Sequence, residues 1–358
     1  MPRKRNKENI GLPARWKIEH GAVYYQVPKG LEDRWDGKKK FRLGTTLPEA
    51  YKEWAKRLES VDQSKTIGAL LDRYALEEVP AKGARTQVEN QRAIRHLRGV
   101  FGNEPMTGIR PQHIYQYVDK RKETPVAANR AVDVLSHAFT MAVKWGYIDR
   151  HPFKGEVRLE GEKPRDRYIE DWEIVECLAM ESKRKKGSVL AIQAYIRIKL
   201  LTGMARSDLL RIDPMPGKNF TDEGIQITRH KTEGKTGKTT IYEWTPELRA
   251  AVDLALSVRP VDIAPFLFCT RKGEGYINEK KGTASGWDSM WQRFMERVMD
   301  ETNIKVRFTE HDLRAKCASD AESLDHARAL LSHVDSEVTR RIYRRRPERV
   351  KPGKLAFE

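Results

Sequence analysis

The sequence predicts a multidomain α+β protein that is mainly helical. Three observations support that class. The chain is 358 residues long, more than one ordinary core accommodates, so two or three domains are expected. Its apolar spacing is strand-like before residue 59 and switches to a helical period from Thr66. Two polar stretches, 59–65 and 154–167, interrupt the pattern and read as linkers. The expected domains are therefore 1–58, 66–153 and 168–358.

In the first domain, Trp16–His20 and Ala22–Val27 alternate as two strands turned at His20-Gly21. Asp36-Gly37 signals a turn before a third strand, Lys39–Leu43. Thr46-Leu-Pro-Glu49 is a capping box that opens a helix with Ala50, Trp54 and Leu58 on one face. This makes a small module of three strands and a helix. Its basic run Arg3, Lys4, Arg5 and Lys7 reads as a solvated tail or as an arm for a DNA minor groove.

The second domain reads as four helices. Ile67, Leu70, Leu71 and Tyr74 mark the first. Thr86-Gln-Val-Glu89 is expected to cap the second, which ends at Gly102. Pro111 opens the third, and the fourth runs from about Ala127 to Gly146. Arg85, Arg92, Arg95, Arg98, Lys120, Arg121 and Lys122 are interleaved as candidate phosphate contacts. The third domain mixes elements. Trp172–Met180 and Val189–Leu201 are helical, the latter stopped at Gly203. Ile225–Thr228 and Thr239–Trp244 form a hairpin around a turn-rich loop. Leu248–Val258, Ser285–Met299 and the stretch after Thr309 are helical again.

Charge narrows the function classes. Lysine and arginine outnumber acids 68 to 51, a net charge of +17, which suits a polyanionic partner such as nucleic acid. Cys177, Cys269 and Cys317 are scattered, which excludes a disulfide framework or zinc motif and fits a reducing cytoplasm. No apolar run approaches the ~20 residues of a membrane span, and the amino-terminal stretch lacks the apolar core of a signal peptide.

The chemistry concentrates in the third domain. Leu200-Leu-Thr-Gly-Met-Ala-Arg-Ser-Asp-Leu-Leu-Arg-Ile212 ends one helix at Gly203 and starts another near Ser207, with Arg206 at the junction. Thr309-Glu-His-Asp-Leu-Arg314 starts a helix with a capping box from Thr309 to Asp312. His311 and Arg314 then share a face near free backbone N–H groups, a setting that favours an anion. His333 precedes Tyr343 by ten residues, and Tyr343 sits among arginines. The hairpin loop offers Lys231, Lys235 and Lys238. Its Gly-Lys-Thr triplets are not a nucleotide-binding loop, because the required upstream glycine is Arg229 or Thr232. A phenol, two imidazoles and arginines are the parts of a nucleophilic phosphoryl transfer.

The ordered set Arg206, Lys235, His311, Arg314, His333 and Tyr343 resembles the tyrosine recombinases, specifically phage integrases of the lambda type with an amino-terminal arm-binding domain. The resemblance covers nearly the whole chain and rests on Thr202-Gly-x-x-Arg206-Ser-Asp208, His311-Asp-Leu-Arg314, and Leu331-Ser-His333 through Tyr343. It implies an arm-type DNA-binding domain over 1–58, a helical core-binding domain over 66–153 and a catalytic domain over 168–358. The two larger modules would form a C-shaped clamp on the core site. Tyr343 would attack a DNA phosphodiester, forming a 3′-phosphotyrosine and releasing a 5′-hydroxyl. Arg206 and Arg314 would hold the non-bridging oxygens, and His333 would hydrogen-bond the phosphate. His311 would act as general base and Lys235 as general acid, with Asp208 supporting the site from behind. Lys235 is preferred by counting back from Ile241-Tyr-Glu-Trp244, whereas counting forward from Ile225 gives Lys231. No metal and no cofactor is implied. The implied partners are double-stranded DNA with core-type and arm-type sites, three further copies of the chain on DNA, and host bending or excision factors. The expected location is a bacterial cytoplasm, with no membrane partner. Two other readings stay open: a DNA-relaxing enzyme of the type IB topoisomerase kind, and a catalytically silent DNA-binding excision or regulatory protein.

Overall fold

The structure is a computed structural model and describes residues 9, 11–28, 32–57, 66–161, 165–230 and 237–346. The chain divides into two compact units, Met1–Lys163 with Lys280–Gly282, and Pro164–Glu279 with Thr283–Glu358. Both are mainly helical, with one small antiparallel sheet each. No helix among the described residues is long and apolar enough to cross a membrane.

The first unit opens with β1 (Trp16–Glu19), β2 (Ala22–Gln26) and β3 (Lys40–Gly44), paired antiparallel in that order. The β1–β2 turn works because His20 and Gly21 both take positive φ, the geometry of a tight hairpin. Trp35 is buried between Tyr25, at 4.6 Å, and Phe41, at 5.3 Å between ring centres. Helix α1 (Leu47–Arg57) starts with the expected exchange between Thr46 and Glu49 and packs on β3. Trp16 from the sheet stacks against its Tyr51 at 4.8 Å.

Helices α2 (Ile67–Glu77), α3 (Ala84–Phe101), α4 (Pro111–Asp119) and α5 (Pro125–Lys144) follow. Leu70, Leu71, Tyr74, Leu97, Leu135 and Phe139 fill their centre, and one apolar cluster runs from there into the sheet. Two expectations are corrected here. Helix α3 starts at Ala84 behind Gly83, not at a Thr86 cap, so Thr86 lies inside its first turn. Ala84 and Arg85 are good helix formers, and the Arg85–Glu89 pair supports the extra turn. Arg98 is no candidate phosphate contact, because it is turned inward, paired with Asp72 and bonded to Gly68 O at 3.0 Å.

In the second unit, α6 (Asp171–Ala179) leads to α7 (Ser188–Thr202), which packs against three later helices. Those are α9 (Pro246–Ser257), α10 (Ser285–Glu301) and α11 (Glu310–Asp320), so α7 is apolar almost all round. Between α7 and α9 come the single-turn α8 (Arg206–Leu209) and the hairpin β4 (Gly224–Thr228) and β5 (Thr239–Glu243). Their register runs from Gly224↔Glu243 to Thr228↔Thr239. The chain closes through α12 (Leu324–Leu330), the short α13 (Ser336–Val338) and a π-helical turn, Thr339–Tyr343. The three cysteines are free and buried.

Candidate active site

The site is assembled where α7 ends and α11 begins. Gly203 stops α7 in the left-handed conformation, φ 63°. A Cβ there would meet Leu331 Cδ2 at 2.9 Å and Cys317 Sγ at 3.1 Å, so the close approach also requires glycine. The sharp exit points Gly203 O at α11, where Arg314 Nη1 donates to it. Arg314 Nη2 donates to Leu331 O at 2.7 Å and meets His333 Nε2 at 3.2 Å. Arg314 is thus buried and fixed by the end of one helix and the end of another.

This network sets the tautomer of His333. Arg314 has only donors, so Nε2 accepts and the proton resides on Nδ1, which donates to Thr339 Oγ1 at 2.8 Å. Burial first, then the charges of Arg314, Arg229 and Lys238, push the His333 pKa down to about 3. Both ring nitrogens are therefore engaged within the protein, and the ring braces Arg314.

Tyr343 is buried against this group. Its ring lies 5.0 Å from His311, 5.2 Å from His333 and 5.6 Å from the Arg314 guanidinium. Ala315, Ala318, Ala327 and Leu331 form its apolar bed. Its backbone is fastened to α11, because Ser319 Oγ donates to Tyr343 O at 2.9 Å and accepts from Arg345 N at 2.7 Å. Arg345 Nη1 then reaches Asp312 Oδ1 at 2.5 Å. Asp312 also completes the expected cap, accepting from Thr309 N at 2.8 Å, and pairs with Arg165 at 3.1 Å. Burial works to raise the Asp312 pKa, but the bonds from Arg345 and Thr309 prevail and hold it below the usual carboxylate value.

Arg206, His311, Arg314 and Tyr343 line one cavity of about 500 Å³. Arg206 reaches it from α8, held by Asp288 at 2.5 Å and by Glu310 at 3.8 Å. Glu310 is fixed in turn by Tyr195 Oη at 3.0 Å and Trp287 Nε1 at 2.8 Å. Burial, followed by the positive charges of Arg345, Arg314 and Lys199, lowers the His311 pKa to about 4. Asp208 stands behind, buried, accepting from Ser207 Oγ at 3.2 Å and from His230 N at 3.3 Å, so it ties α8 to the exit of β4. Lys231 and Lys235 lie outside the described residues. Lys238 donates to His333 O at 2.9 Å, which brings one end of the loop to the site.

Several residues of the site escaped sequence reasoning. Lys199 is buried on α7, lines the cavity and donates to Met204 O at 2.9 Å. Burial pushes its pKa down to about 7. The signal was a lone lysine inside the apolar run Ile198-Lys-Leu-Leu201. Asp312 was read only as a cap. Arg345 was one of three consecutive arginines and carried no mark of its own.

The fold is similar to that of solved integrase structures. In particular it is similar to lambda integrase. A lambda integrase tetramer bound to a Holliday junction matches with a TM-score of 0.62 at 17% identity, over 98% of this chain and 99% of that one. A lambda integrase dimer (residues 75–356 of that protein) bound to a COC′ core site matches at TM-score 0.63 and 18% identity, over 81% and 99%. The Tn1549 transposon integrase in complex with circular intermediate DNA matches at TM-score 0.60 and 17% identity, over 77% and 94%. No protein-family model and no curated protein sequence matches the chain.

Proposed function

We propose that the protein is a site-specific DNA recombinase of the tyrosine type, integrating or excising a phage or other mobile element. The observation that carries this reading is the cavity shared by Arg206, His311, Arg314 and Tyr343, set in a chain with the lambda integrase fold. The Tyr343 oxygen attacks the scissile phosphorus. A phosphorus–phenol bond forms and the bond to the 5′ oxygen breaks, leaving a 3′-phosphotyrosine. The phenolic proton passes to His311, and Lys235, or Lys231 in its place, returns a proton to the departing 5′ oxygen. Arg314 and Arg206 hold the non-bridging oxygens. A rigid guanidinium suits that task, since it stays charged and bonds in pairs. A well-placed arginine is worth about 10³–10⁵ in rate in phosphoryl transfer. Arg206 must exchange Asp288 for the phosphate, and His333 must release Nε2 from Arg314 and take a proton there, by changing tautomer or by gaining a second proton, before it can donate to the phosphate. The phosphotyrosine keeps the energy of the broken diester, so another strand's 5′-hydroxyl can reverse the step on new DNA.

On this reading residues 1–58 bind arm-type sites, 66–153 bind the core site and 168–358 carry the chemistry, with four copies acting together on DNA in the cytoplasm. Host bending and excision factors are the further partners. The test is a duplex carrying the junction mapped beside the gene, nicked so that cleavage is trapped. Wild type is expected to form a covalent protein–DNA adduct, and Tyr343→Phe to bind the duplex without forming one. Binding by wild type with no adduct would make the chain a silent DNA-binding factor. Adduct on that duplex, together with relaxation of an intact supercoiled circle carrying the same junction and no strand exchange on it, would make it a topoisomerase-like enzyme.

A further inference from the structure

We propose that Lys199 is a positioning residue for Arg206, holding the turn and the carboxylate that aim that guanidinium at the phosphate. The inference rests on the recombinase reading and adds a residue that the phosphoryl-transfer chemistry does not use. Lys199 belongs to the last turn of α7. A lysine there ordinarily stays in solvent and offsets the helix dipole. This one is 2% exposed and lies in the wall of the cavity that Arg206, His311, Arg314 and Tyr343 share. A buried ammonium is costly, and an apolar side chain would have continued the run Ile198-Lys-Leu-Leu201 without that cost.

Two contacts of Lys199 lead to Arg206. The first runs through the backbone. Lys199 Nζ donates to Met204 O at 2.9 Å, and Arg206 opens α8 two residues further on. The neighbouring carbonyl, Gly203 O, is held by Arg314, so consecutive carbonyls of the α7–α8 turn are each gripped by a cation. The second contact runs through side chains. Lys199 Nζ lies over the ring of Tyr195, one helical turn earlier, 5.2 Å from its centre. Tyr195 Oη donates to Glu310 Oε2 at 3.0 Å, the same oxygen that stands 3.8 Å from Arg206 Nε. Asp288, the closer partner of Arg206, is half exposed and is the contact a phosphate displaces. The turn and Glu310 then keep Arg206 on its line. A guanidinium's fork serves a phosphate only in register, and a displacement of about 1 Å can cost about 10²-fold in rate.

The experiment is a double-mutant cycle, read as the rate of covalent adduct on the trapped junction duplex at saturating protein. Lys199→Met keeps the length, removes the ammonium and suits the dry surroundings, so its melting temperature is expected near that of wild type. With Arg206 in place it is expected to slow adduct formation about 10²-fold. In an Arg206→Lys background, where no fork is left to aim, the same change is expected to cost less than about threefold. An equal loss in both backgrounds overturns the proposal, since a lysine that serves the phosphate directly, or only the fold, acts whichever residue stands at 206. No loss with Arg206 in place overturns it as well. Should Lys199→Met melt well below wild type, Lys199→Gln serves instead. It keeps a donor without the charge, and must show a loss that vanishes in the Arg206→Lys background. Absence of adduct with wild type would sink the recombinase reading itself, whereas normal wild-type adduct with an indifferent Lys199 sinks only this one.

Discussion

His311 is neutral in this state well below physiological pH, its pKa pushed down to about 4 by burial and then by Arg345, Arg314 and Lys199. A base works only when unprotonated, so with DNA far below saturation, where the rate reports the free protein, the acid limb of adduct formation against pH is expected near 4, not near the ordinary 6.5. A limb at 6.5 would remove His311 from the role. A bound phosphate offsets the cations that depress it, so its pKa should climb when a duplex binds, a shift readable from its imidazole proton resonance. The same depression affects stability. Unfolded histidine takes up its proton near 6.5, whereas folded His311 and His333 resist until about 4 and about 3. Their contribution is therefore present above 6.5 and is lost as pH falls from there toward 3. His333→Gln should flatten the fall of melting temperature across that window.

At the scale of elements, the strands, helix caps and helix stops were largely legible because each depends on neighbours in sequence. The His20-Gly21 turn, the Thr46 and Thr309 caps and the Gly203 stop follow from local backbone preferences. The misplaced start of α3 arose because Gly83 offers no capping side chain. What the sequence hid were pairings across long separations. Nothing near Arg345 says that it meets Asp312, 33 residues away, and nothing near Lys199 says that its surroundings are dry. The Asp312–Arg345 pair is almost fully buried. Asp312→Ala leaves Arg345 and Arg165 without their carboxylate and is expected to cost about 3–5 kcal/mol in urea unfolding. Pairing it with Arg345→Met should restore part of that loss, and strict additivity would show that the two side chains do not depend on one another. Gly203→Ala is expected to cost about 1–2 kcal/mol from the backbone conformation alone. Its adduct rate should fall further than its stability implies, because Gly203 O orients Arg314.

At the scale of the whole molecule, the charge of +17 governs the partner more than the chemistry. Binding to duplex DNA is expected to weaken along a straight line in log affinity against log salt. With six to ten phosphates contacted, the loss between 50 and 200 mM salt is about 10³–10⁵-fold. A slope near zero would mean that the positive charge serves solubility instead. Tyr343→Phe should leave the slope unchanged, because it removes chemistry without removing a cation.

Ser319 has a consequence once the phenol has reacted. Its hydroxyl holds the chain on both sides of Arg344, gripping the carbonyl of Tyr343 and the amide of Arg345. On the proposed recombinase reading, a severed strand attached at Tyr343 would be tethered to α11, the helix that carries His311, on a leash one side chain long. To hand that strand end across to another duplex, a recombinase built this way would have to open this buckle or carry the whole helix along with its cargo.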